Sequence, residues 1–158
     1  MYISIVGIDR LRFSYYLSKL ATEQVVADSG LPWTILRATQ FFDMLYRGAS
    51  SLAKLPVVAV PRDLLFQPID ADEVAGRLVE LALADPAGRV PDLGGPEVLT
   101  SAQVVRTYLE VRQDSRRVVT VPLFGLGAVR AGGLLADPYP AENADRRTWS
   151  NFVSAAGL

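Results

Sequence analysis

Strand, helix and strand fit into the first 37 residues, and this restricts the fold more than any other feature of the chain. Met1 to Val6 is apolar apart from Ser4 and rich in β-forming residues, which predicts a short buried strand closed by Gly7 and Asp9. A helix is expected from Tyr15 to Ser29, with Leu17, Leu20, Ala21, Val25 and Val26 as its apolar stripe. Gly30 and Pro32 end it. Trp33 to Leu36 then reads as a second strand leading into Arg37. Two strands joined by a helix in so few residues form a βαβ unit, so they lie parallel.

The rest of the chain continues the α/β pattern. A helix is expected over Phe41 to Leu55, whose Phe41, Phe42, Leu45 and Tyr46 suit either an apolar pocket or the core. Short strands are expected at Val57 to Val60, at Leu65 to Ile69 and at Val90 to Leu93, where Pro91 confines the last to a sheet edge. Asp70 or Asp72 caps a helix over 72–84, and Asp85-Pro86 stops it. Gly94-Gly95-Pro96 makes a turn, and Thr100 or Ser101 caps a helix from Ala102 to Arg112. A last strand spans Val118 to Val121, with helices over Gly125 to Leu135 and Asn143 to Ala156.

Composition narrows the chemistry. The 158 residues contain no cysteine and no histidine, which removes disulfides, Ser-His-Asp triads, cysteine nucleophiles and His/Cys metal sites. A net charge of −1 argues against nucleic acid as a partner. No apolar run reaches the ~18–20 residues of a membrane span, and the start lacks the pattern of a signal peptide, so the expectation is a cytoplasmic protein without a membrane partner. The cluster Asp70, Asp72 and Glu73 is explained by the start of a helix, and no metal site is expected. Arg116-Arg117 and Arg146-Arg147 read as solvated basic pairs.

Only two of the 16 basic residues are lysines, and one of them forms Tyr15-x-x-x-Lys19. Four residues apart on a helix puts both side chains on one face. Six tyrosines and two lysines in this length give about 0.08 such pairs by chance. An ammonium beside a phenol favours the phenolate, and a tyrosine so tuned can exchange a proton with a substrate oxygen. Ser4, in the preceding strand, could orient the same oxygen. By spacing alone, Tyr15 reads equally as a half-buried aromatic and Lys19 as a solvated charge.

Three stretches carry a resemblance: Ser4-Ile5-Val6-Gly7-Ile8-Asp9, Tyr15-Tyr16-Leu17-Ser18-Lys19-Leu20-Ala21-Thr22-Glu23, and Gly30 through Phe41. With Gln67-Pro68-Ile69-Asp70-Ala71-Asp72-Glu73-Val74-Ala75 and the Gly94-Gly95-Pro96-Glu97 turn, the chain resembles the NmrA-like, atypical branch of the short-chain dehydrogenase/reductases. The resemblance implies a partial Rossmann-like parallel sheet with flanking helices and a small C-terminal substrate-side subdomain. Residues 1–158 would be one domain, with 1–60 the Tyr-Lys part and 61–158 the substrate-side part.

It further implies an NAD(P)-dependent oxidoreductase acting on a small carbonyl or quinone-like substrate. Tyr15 would be the acid/base and Lys19 would hold the nicotinamide ribose. Ser4 would be the third catalytic residue, though it precedes Tyr15 by a shorter interval than in the family. Ala38, Thr39, Gln40 and Phe41 would run beside the cofactor. Arg37 would end the cofactor-side strand or form a structural ion pair. The family's Gly-rich pyrophosphate turn does not precede Tyr15. Gly125-Leu126-Gly127 has Arg130 at the third glycine position and reads as a Gly-rich helix start. The expectation is therefore a truncated reductase or a natural remnant, with a sheet edge left open that invites a homodimer. The alternatives are a non-catalytic NAD(P)-sensing regulator and an inert domain.

Overall fold

The computed structural model describes residues 1–62, 64–122, 132–136 and 146–156. Its opening unit is β1 (Tyr2–Ile5), α1 (Ser14–Ala27) and β2 (Thr34–Ala38), with β1 and β2 parallel and Ser4 level with Arg37. β5 (Gly88–Arg89) adds to the other side of β2, in the order β1-β2-β5. β2 is buried along its whole length, as the centre of a covered parallel sheet requires. Among the described residues β1 pairs with β2 alone.

A second parallel pair joins β3 (Val57–Pro61) to β7 (Arg117–Val121), and β4 (Leu65–Phe66) pairs antiparallel with β6 (Leu99–Thr100). Among the described residues, the two larger apolar cores hold these sheets. One lies between β2 and α3 (Ala71–Leu83), built from Leu36, Ala38, Ile69, Val74, Leu81 and Val90. The larger one gathers α2 (Phe42–Leu52), β3, α4 (Ser101–Val111) and α5 (Trp149–Ala156) around Phe42, Leu45, Val58, Tyr108 and Trp149. Trp149 is almost fully buried, and its indole N–H donates to the Val104 carbonyl at 3.0 Å.

The predicted caps form. The Asp70 side chain accepts from the Asp72 N–H, and Thr100 and Gln103 bond each other's backbone at the start of α4. The turn Gly94-Gly95 is required by crowding: a Cβ on Gly95 would collide with the Pro68 carbonyl, and one on Gly94 with the Gln67 amide.

Two expectations are corrected. The predicted stripe of α1 is met only in part: Leu20 and Val26 turn inward, but Leu17, Ala21 and Val25 point outward, Val25 being 70% exposed. The inward face carries Tyr16, Lys19, Leu20, Val26 and Ala27 around Glu23, the one fully buried residue of the helix. That carboxylate pairs with the buried Arg37 of β2. Arg146-Arg147 is likewise no solvated face. Arg146 binds Glu73 at 2.6 Å and the Gly94 carbonyl, and Arg147 binds Asp70 at 3.0 Å. Residues 132–135 form a tight turn where a helix end is predicted. The Gly125-Leu126-Gly127 stretch and residues 143–145 lie outside the described residues.

Candidate active site

All seven residues singled out by the sequence line one cavity of about 250 Å³ between α1, β1 and the segment leaving β2. Ser4 comes from β1, Tyr15 and Lys19 from α1, and Ala38, Thr39, Gln40 and Phe41 from the end of β2 and the segment after it. Ile3, Ile5, Tyr16 and Met44 complete the wall. Sequence reasoning leaves out Tyr16 and Met44. Met44 follows Phe41 at helical spacing, and that interval is the signal that could have found it.

Tyr15 stands at the rim, 62% exposed, with its ring 5.6 Å from that of Tyr16. Burial pushes the Tyr16 phenol up, and Tyr15 adds to the shift, so Tyr16 stays protonated at neutral pH. Lys19 donates to the Ile3 carbonyl at 3.2 Å and sits over the Tyr2 ring at 4.4 Å. It shares the cavity with Tyr15, but the groups it contacts, the Ile3 carbonyl and the Tyr2 ring, belong to β1. Ser4 Oγ is buried beside the Glu23 carboxylate without forming a hydrogen bond of normal geometry.

The segment after β2 is held from behind. Thr39 Oγ1 accepts from the Gly95 N–H, and its own N–H donates to the Leu93 carbonyl. The Gln40 amide donates to the Leu134 carbonyl at 3.1 Å and accepts from the Gln67 N–H at 3.0 Å. Gln67, wholly buried, donates to the Gly95 carbonyl and accepts from the Ala136 N–H. The side chains of Thr39 and Gln40 are thus engaged by the scaffold, and the segment presents a fixed wall to the cavity.

Arg37 resolves as an ion pair. Its Nε and one terminal nitrogen donate to the two oxygens of Glu23 at 2.8 and 2.6 Å, and the other terminal nitrogen reaches Asp9 at 3.0 Å. This forked geometry is the strong form of a charge-assisted pair. Burial acts to raise the Glu23 and Asp9 carboxyls, but hydrogen bonding and the positive charge of Arg37 hold both below the usual range. Burial likewise opposes the Arg37 charge, and Glu23 more than offsets it.

No family model and no curated protein matches the chain by sequence. Solved structures do match by fold. The structure of an NADPH-dependent quinone oxidoreductase from Escherichia coli superposes with a TM-score of 0.75 at 20% identity, covering 99% of this chain and 66% of that one. The same protein complexed with NADPH gives 0.74 at 19% identity, covering 99% and 65%. A nucleoside-diphosphate-sugar epimerase from Staphylococcus aureus gives 0.65 at 16% identity, covering 97% and 62%. The shared fold is Rossmann-like. The chain spans just under two thirds of the length of these proteins. No helix among the described residues is long and apolar enough to cross a membrane.

Proposed function

We propose that this chain carries the catalytic face of an NAD(P)-dependent oxidoreductase of the atypical, NmrA-like short-chain type, reducing a small carbonyl or quinone-like compound. One observation carries the reading: residues from three separate segments, chosen for one chemistry, line one cavity. The cavity suits one end of a dinucleotide. About 250 Å³ admits a nicotinamide ring or a small substrate rather than the whole cofactor. Lys19, the one charged side chain on the described wall, would hold the ribose hydroxyls, and Ala38 to Phe41 would flank the ring.

When bound, the reduced nicotinamide supplies a hydride to the carbonyl carbon. Tyr15 then donates its phenolic proton to the substrate oxygen, so that a simple C=O becomes CH–OH and a quinone, gaining the same hydride and proton, becomes the hydroquinone; Tyr15 recovers a proton from the water that reaches its exposed ring. Ser4 orients the oxygen toward Tyr15. Ile3, Ile5, Phe41 and Met44 give the remaining wall an apolar character that favours a flat, uncharged substrate.

The test is NADPH oxidation with a small benzoquinone. Tyr15→Phe should lower kcat by roughly 10²–10⁴-fold, the usual worth of general acid catalysis. Equal turnover by the two proteins overturns the assignment. Cofactor binding by fluorescence without turnover would indicate a sensor, and absence of binding an inert domain.

A further inference from the structure

α1 carries Tyr15 and Lys19, yet none of its apolar side chains is fully buried. Helices normally stay on a sheet through an apolar face. Here the one fully buried residue is a carboxylate, Glu23, four residues beyond Lys19 and so next on the same side of the helix. Its partner, Arg37, is itself 3% exposed and immediately precedes the segment 38–41 that forms the facing wall of the cavity. A two-pronged bond between planar groups fixes both distance and roll, which a single contact cannot do. Asp9, on the turn after β1, takes the remaining side of the guanidinium and joins the third wall to the same point.

We infer that Glu23 is a positioning residue for the Tyr15–Lys19 face. Through Arg37 it sets where α1 lies along β2, and hence where the phenol and the ammonium stand relative to Ala38–Phe41. Lys19 adds a second tie to β1 through the Ile3 carbonyl, but that bond is only partly buried. The inference rests on the proposed function for its catalytic meaning and on geometry alone for its structural one.

Hydrogen exchange on the full chain separates the two. In Glu23→Gln the carboxylate is gone and one prong of the fork is lost. The amides of 18–27 should exchange at least ten-fold faster, while those of α2 and α4 stay within two-fold of wild type. Glu23→Asp, which keeps the charge but is one methylene shorter, should fall between. Glu23→Gln combined with Arg37→Met should be no worse for α1 than the worse single change, because the two act through each other. Unchanged protection of 18–27, or a loss spread equally over α1, α2 and α4, would overturn the inference. In the benzoquinone assay, Glu23→Gln should lower kcat at least ten-fold with KM within two-fold, and Glu23→Asp should recover part of it. If wild type shows no turnover, the proposed function fails, and the exchange pattern still decides whether Glu23 holds the helix.

Discussion

Gln67→Leu gives a direct measure of what holds the wall of the cavity. Gln67 is fully buried, and its side chain bridges the Gly95 carbonyl and the Ala136 N–H, each at 2.9 Å. Leucine is close in size, so the change opens little space, but it leaves two buried backbone groups without a partner. Each such group costs roughly 1–3 kcal/mol, so the gross loss is about 2–6 kcal/mol. Replacing an amide by an apolar side chain returns roughly 1–2 kcal/mol of that. A net destabilisation of about 1–4 kcal/mol is large against the ~5–15 kcal/mol of a typical domain. With a urea slope of about 2 kcal/mol/M, the midpoint should fall by roughly 0.5–2 M. Far-UV circular dichroism at pH 7 reads this, with Gln24→Leu as a control, since Gln24 is exposed and its amide bonds only Asp28 on the surface. A Gln67→Leu midpoint equal to that of the control would refute the claim that this amide ties the 132–136 turn to the Gly94-Gly95 turn.

Two further outcomes are expected. The carboxyls of Glu23 and Asp9 are held low in the folded protein, so their stabilisation is complete above the unfolded carboxyl range of about 4–4.5 and is lost as pH falls through the folded values. The difference in urea midpoint between wild type and Glu23→Gln should therefore be constant from pH 7 to about 5.5 and shrink below about 4.5; a difference that widens toward acid would show that another group controls it. Trp149→Ala should cost about 3–5 kcal/mol, because it empties the centre of the larger core and removes the indole bond to the Val104 carbonyl, and Trp33 remains as the fluorophore for the unfolding curve.

The opening βαβ unit is legible in the sequence because its parts are neighbours and its apolar runs have clear ends. The four-residue spacing of Tyr15 and Lys19 likewise anticipates that both line one cavity, though not that Lys19 bonds β1. The pairing of β3 with β7 is not legible. Both are short valine-rich runs about 60 residues apart, and local periodicity names no partner. The roll of α1 is only partly legible, because apolar residues normally mark the inward face, whereas here the one fully buried residue of the helix is a carboxylate paired with a guanidinium on β2. The Gln40–Gln67 bonds were invisible for a related reason: an isolated glutamine looks like surface until the backbone groups it must satisfy are brought beside it.

Gly7 closes the turn after β1 at φ +78°, and the carbonyl oxygen of Gly133 occupies the space where a side chain would begin. No other amino acid meets both conditions, although Gly7 is not among the residues lining the cavity. Tyr15 is the opposite case, exposed at the rim with little riding on it for folding. A library of single substitutions sorted for cellular abundance would therefore find Gly7 intolerant and Tyr15 permissive. Sorted for turnover, both would be intolerant. The positions that change rank between the two sorts, rather than those most sensitive in either, would outline the working surface of this protein.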